Sequence, residues 1–228
     1  MSACATRLNE AFSTVGKEHG YDSVSADFQE FKEFKVKWRR SCGWAEFEAS
    51  DYLKDAPLDV LEGLADTIFS RISRRDENKQ HSDVMLEWMT SEEFVKNKQP
   101  IYLSRSRNLS RTHVGEHIDL SESYNRIIDL GLVSRDNDLV ISWTKQPNVK
   151  RIGYCSVLMK VIAISSVFDT LSIPKFVSDY VLYHELIHLD RGFDPFNQRH
   201  DTGFHALENL YPKRKEAEDW LKRLRLYL

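Results

Sequence analysis

Apolar and polar positions follow two rhythms along this chain, and the changes between them predict its elements. Residues 5–19 keep helical spacing, with Leu8, Phe12 and Val15 on one side and Gly20 as a stop. Residues 34–39 (Phe-Lys-Val-Lys-Trp-Arg) alternate strictly, and residues 44–48 (Trp-Ala-Glu-Phe-Glu) alternate again. Ser41-Cys42-Gly43 between them predicts a hairpin. Leu58, Leu61, Leu64, Ala65, Ile68 and Ile72 return to the helical period. The polar residues 74–82 predict an exposed loop, and residues 84–95 a further helix that Pro100 breaks.

The second half changes character. Residues 139–143, 151–156 and 160–165 are short, rich in β-branched or aromatic side chains, and closely spaced, which predicts an antiparallel meander. A helix over residues 174–190 follows. Pro174 suits its start, Gly192 its end, and Val177, Tyr180, Val181, Leu182, Ile187 and Leu189 make it apolar nearly all round. Another helix opens at Asp201 or Thr202, and a last one carries Ala217, Trp220, Leu221 and Leu224 on one face. Strands gathered before helices predict an α+β fold, a short meander packed against the 174–190 helix. The chain reads as one domain, 1–228, with an N-terminal helical and hairpin region (1–100) of unassigned role and a candidate catalytic core at 139–228.

Composition changes this picture little. The chain has 228 residues, 41% hydrophobic and 29% charged, and a net charge of −3, so no global field argues for nucleic acid or an anionic membrane. The first twelve residues lack the apolar core of a signal peptide, and no apolar run is long enough to cross a bilayer. Cys4, Cys42 and Cys155 are too few and too scattered for a disulfide framework. The expectation is a soluble, cytoplasmic protein without a membrane partner.

The candidate chemistry lies in His184-Glu185-Leu186-Ile187-His188. On a helix, residues four apart project from one face, so His184 and His188 can grip one zinc ion. Glu185 then reaches the open side of the metal as a general base toward water. A buried helix whose histidines merely find hydrogen bonds is the bland alternative. Burying two histidines and a glutamate in so apolar a helix is costly unless something binds them, which favours metal. A catalytic zinc takes a third protein ligand, and His200, His205 and Glu208 all lie downstream. His200, placed by the turn before a helix, is the first choice; His205 and Glu208 share the next helix face. His113 and His117 are also four apart, but no carboxylate follows His113 and Gly115 interrupts them, so a surface role fits better. The basic run at residues 104–111 reads as a solvated loop before it reads as a nucleic-acid contact.

The His-Glu-Leu-Ile-His motif is followed by Arg199-His200-Asp201-Thr202-Gly203-Phe204, then by Leu207-Glu208-Asn209-Leu210-Tyr211-Pro212 and a closing helix around Trp220-Leu221. Together these resemble the SprT-like and YgjP-like zinc metallopeptidases and the compact minigluzincins. The resemblance runs from about Gly153 to Trp220 and thins between Phe34 and Ile72. It implies a peptide or protein substrate, Zn2+ as cofactor, His184, His188 and His200 as ligands, and Glu185 as base. It also implies that Ile162-Ala163-Ile164-Ser165 is the edge strand along the substrate cleft. The span from His188 to His200 exceeds the YgjP-like pattern, which keeps Glu208 in play as ligand. No cysteine follows Cys155, so the zinc ribbon of SprT proper is absent and its DNA-linked role is not implied. Because minigluzincins are latent, residues 225–228 (Arg-Leu-Tyr-Leu) offer a segment able to fill the chain's own cleft.

The activity implied is hydrolysis of a peptide bond, with Glu185 moving the proton and His205 or Tyr183 as candidates for a second electrophile. The competing expectation is a non-catalytic module in which four protein ligands close around a structural zinc.

Overall fold

A computed structural model describes residues 3–73, 75, 76, 79–193 and 200–224. The chain forms two compact units, residues 1–94 and 95–228, where the sequence pattern suggested one domain.

Unit 1 begins with α1 (Ala3–Glu18), continues through β1 (Ser23–Gln29), β2 (Val36–Ser41) and β3 (Trp44–Ser50), and ends with α2 (Leu58–Ile72) and α3 (Asp83–Thr90). The predicted hairpin is β2–β3, antiparallel, with Ser41 opposite Trp44 and Gly43 at φ +81° in the turn. Polar positions hide β1, whose Val24, Ala26 and Phe28 alternate with Ser23, Ser25 and Asp27; it pairs parallel with β3. Phe47 packs against Phe12 and Phe69, ring centroids 4.8 and 5.1 Å apart, at the centre of this core.

The boundary between the units falls within α4 (Glu92–Arg105). Pro100 lies inside this helix and does not break it. A proline there forfeits one backbone bond at a cost of about 3 kcal/mol. Burial of Val95 and Tyr102 offsets that cost, as does Gln99 Nε2 donating to the carbonyls of Asp138 and Met159 at 2.8 and 2.9 Å.

Unit 2 continues with α5 (Leu120–Asp129), which the sequence reading passes over. Asp119 caps it by accepting from Ser121 N, and Leu120, Tyr124 and Ile127 bury its inner face. Three short strands follow: β4 (Val140–Trp143), β5 (Gly153–Ser156) and β6 (Val161–Ile164). Their extents match expectation, but their order does not form a meander. The sheet runs β4-β6-β5, with β4 parallel and β5 antiparallel to β6. The physical reason lies in β6: Val161, Ile162, Ala163 and Ile164 are all buried, as suits a central strand paired on both sides. Residues 144–152 carry the chain from one side of β6 to the other. They are pinned on the way, Ser166 N donating to Thr144 Oγ1 (3.0 Å) and Asn148 N to Ser165 Oγ (2.7 Å).

The helices α6 (Lys175–Asp190), α7 (Thr202–Glu208) and α8 (Arg214–Arg223) complete an α+β fold. Tyr180, Val181, Leu182 and Leu186 of α6 join Trp143, Ile162, Ile164 and Phe168 in one core. Arg126 of α5 grips Asp179 of α6 with two bonds of 2.8 Å. Among the described residues, no helix is long and apolar enough to cross a membrane. Residues 225–228, the segment proposed to fill the cleft, lie outside the described residues, as do 74, 77 and 78 of the expected polar loop.

Candidate metal centre

Tyr180, His184 and His188 stand at four-residue steps and so form one stripe along α6. Gly192, at φ +75°, ends the turn after the helix. His200 precedes α7, whose N-cap is Asp201, its carboxylate accepting from Phe204 N at 2.8 Å. Arg191, just beyond α6, holds the same carboxylate with two bonds of 2.7 Å, tying the start of α7 to the end of the histidine helix.

These anchors bring His184, His188 and His200 together. One ring nitrogen from each lies within 4.8 Å of the others, and His188 Nε2 is 3.1 Å from His200 Nε2. Phe204 packs against all three rings, with centroids 4.5 to 5.0 Å away, and walls the cluster on one side. Burial and the neighbouring His184 and His200 push His188 down to about 4, so its imidazole is neutral and ready to donate a lone pair. Burial lowers His184 as well, against the pull of Glu208.

Glu208 and His205 are close by but placed differently. Glu208 is 4% exposed and its Oε1 lies 2.8 Å from His184 Nδ1, while Tyr180 OH donates to that same oxygen at 3.1 Å. Its Oε2 lies 2.8 Å from His205 Nδ1. Both oxygens are therefore engaged, and the carboxylate backs His184 from the side opposite Nε2. This is how an outer carboxylate fixes the tautomer and direction of a metal-binding imidazole. Burial opposes ionisation of Glu208, but its bonds to His205, His184 and Tyr180 outweigh that and hold its carboxyl below the usual range.

Glu185, one residue on from His184, is turned away from the stripe toward β5. It is 7% exposed, and no hydrogen bond to it is found among the described residues. Burial pushes its carboxyl up to about 8, the charge of Arg151 acting in the opposite sense. Contact with β5 is close: a Cβ placed on Gly153 would come within 2.7 Å of Glu185 Oε1. An isolated glycine in a strand is the mark of such an approach. The expectation that residues 162–165 form an edge strand does not hold. Residues 162–165 belong to or follow the central β6, and the open rim is that of β5.

Comparison with protein-family models, curated proteins and solved structures finds no match to this chain.

The centre therefore stands on its own chemistry. Three imidazoles, one backed by a buried carboxylate, form a nitrogen donor set that suits zinc and leaves room for a further ligand. Tyr183 is not poised for a role there, since its hydroxyl donates to the Leu207 carbonyl at 2.7 Å. His205, with Nδ1 held by Glu208, keeps Nε2 for another partner. Elsewhere, His113 bonds Asp119 at 2.7 Å and His117 N donates to Asp169, and the second histidine pair forms no ligand cluster among the described residues. In the basic run, Ser106 and Leu109 are buried and Arg111 donates to the Ser104 carbonyl at 3.3 Å.

Proposed function

We propose that unit 2 is a zinc-dependent metallopeptidase that hydrolyses peptide bonds. The observation carrying this reading is the convergence of His184, His188 and His200, with a ring nitrogen from each within 4.8 Å of the others, on a helix that also carries the buried carboxyl of Glu185. His184, His188 and His200 would hold the ion, and Glu208 would orient His184 from behind. When bound, zinc supplies a Lewis acid that lowers the pKa of water and polarises a carbonyl.

The remaining work falls to the protein. Glu185 takes the proton of the attacking water at its carboxylate and returns it to the departing amine. Once ionised, in these dry surroundings, it is a stronger base than an exposed glutamate. The outer rim of β5, unpaired in its sheet, offers backbone N–H and C=O groups to an extended peptide, which would be bound as an added strand.

The alternative, a structural zinc closed by four protein ligands, needs Glu208 or His205 in the inner set. Glu208 has its oxygens engaged by His184 and His205 at 2.8 Å each, and His205 falls outside the group of ring nitrogens that lie within 4.8 Å of one another among the described residues. Metal analysis and a peptide assay test the reading together. The expected result is one zinc per chain in wild type and in Glu185→Gln, with hydrolysis by wild type only. Cleavage by Glu185→Gln, or a wild type that binds no zinc, overturns it.

A further inference from the structure

Between Asp138 and Asp169 the chain contains no acidic residue, yet it carries Lys145, Lys150, Arg151 and Lys160 in a protein of net charge −3. Only Lys160 of these is paired, with Asp136 at 3.0 Å and Asp138 at 3.5 Å. Lys145, Lys150 and Arg151 are exposed and form no ion pair with a carboxylate among the described residues. All three lie on the segment that leads into β5.

Arg151 is the one whose position is built. Asn148 Oδ1 accepts from Lys150 N at 2.8 Å and from Arg151 N at 2.9 Å, which fixes the backbone in an Asx-type turn. The next residue is locked to β6, Ser165 N donating to the Ile152 carbonyl at 2.9 Å. The guanidinium lies 4.4 Å from the centre of the Tyr154 ring, which limits the freedom the side chain would lose on binding a ligand. Two residues on is Gly153, against Glu185. A cation with no ion pair among the described residues thus stands at the head of the open strand rim, two residues before the glycine that meets the candidate base.

We propose that Arg151 is a specificity-determining residue that selects peptides bearing a carboxylate close to the bond to be cleaved, supplied by an Asp or Glu side chain. The assignment rests on the peptidase reading for the meaning of "cleaved", but the recognition itself requires no turnover. A planar guanidinium that donates no side-chain hydrogen bond among the described residues is suited to a two-pronged carboxylate bond, and Lys145 and Lys150 on the same segment favour acidic ligands at longer range.

The test measures binding and cleavage separately. Fluorescein-labelled ten-residue peptide pools carrying one Glu, one Gln or one Lys at successive positions are titrated by fluorescence polarisation into full-length, zinc-loaded Glu185→Gln. Glu pools are expected to bind about tenfold more tightly than Gln pools at one or two adjacent positions, the discrimination of one charge-assisted pair. Adding Arg151→Met should erase that difference while leaving Gln-pool affinity within about twofold, and Arg151→Glu should turn the preference to Lys. Arg151 is exposed, and an unchanged melting temperature checks that its variants remain folded. Equal binding of all pools, no binding by any pool, or a preference that survives Arg151→Met overturns the proposal. Wild-type cleavage of the same pools reports on the peptidase reading independently: bound acidic peptides left intact sink the activity and spare Arg151, whereas cleavage indifferent to charge does the reverse.

Discussion

His184 Nδ1 and Glu208 Oε1 lie 2.8 Å apart, the one on the histidine helix and the other at the end of the next, joined through a carboxylate that is 4% exposed. This contact settles which nitrogen of His184 faces the cluster. It also makes the direction of one imidazole depend on a residue outside the donor set.

Glu208→Gln should weaken zinc binding without removing it. An amide can still meet His184, but it is a poorer acceptor and lacks the charge that raises ligand basicity. Loss of an outer-shell partner typically reduces metal affinity about 10–100-fold. His200→Ala, which deletes a donor, should cost more. Competition titrations against a zinc-sensitive chelator rank the variants, and a larger loss in Glu208→Gln would make Glu208 a ligand.

Gly153→Ala tests the placement of Glu185. The new methyl carbon would lie 2.7 Å from Oε1, 3.1 Å from Cγ and 3.2 Å from Cδ of Glu185, so the carboxyl must move. Because the obstacle is largely the end of a flexible side chain, the fold should survive with a small change in melting temperature. A displaced base should lower kcat about 10–100-fold while zinc content stays at the wild-type value. An unaltered kcat would place Glu185 elsewhere during turnover.

Asp169 gives a pH-dependent prediction away from the centre. Its carboxylate accepts from the backbone N–H groups of Glu116, His117 and Ile118 at 2.6, 2.9 and 3.0 Å. Burial works against the charge, but these three bonds prevail and hold the carboxyl below its ordinary 3.8. With the folded value below the unfolded one, this stabilisation is fully present above about pH 5. It fades as pH falls through the folded value. Asp169→Asn should therefore cost about 1–3 kcal/mol near neutrality. The gap between the variant's melting temperature and that of wild type should close as pH falls from about 5 through the folded value. A gap independent of pH would mean that the charge on Asp169 contributes nothing.

Much of this architecture was written in local patterns. The His184–His188 pair, Glu185, the stops at Gly20 and Gly192 and the cap at Asp201 follow from helical period and terminal chemistry, which need no partner to be recognised. The helix α5 was equally legible, with Leu120, Tyr124 and Ile127 on one face behind an Asp119 cap, although its two serines and asparagine are weak helix formers. Strand order was another matter. Nothing in residues 139–165 says that β4 meets β6 and skips β5, because the pairing is decided by which strand is buried from both sides. Pro100 stays helical for a similar reason: tertiary burial and the Gln99 bonds outweigh a local penalty. The part played by Glu208 emerged only once α6 and α7 were set face to face, since spacing alone allows a carboxylate to be a ligand or to support one.

The parallel pairing of β4 with β6 also bears on how the sheet assembles. The β5–β6 turn spans only residues 157–160, a short closure on the microsecond scale of hairpin formation. β4 must wait for β6, its partner, to be ordered, and joining them closes a loop that holds all of β5. The strand against Glu185 would thus be in place early, and its outer rim open from the first.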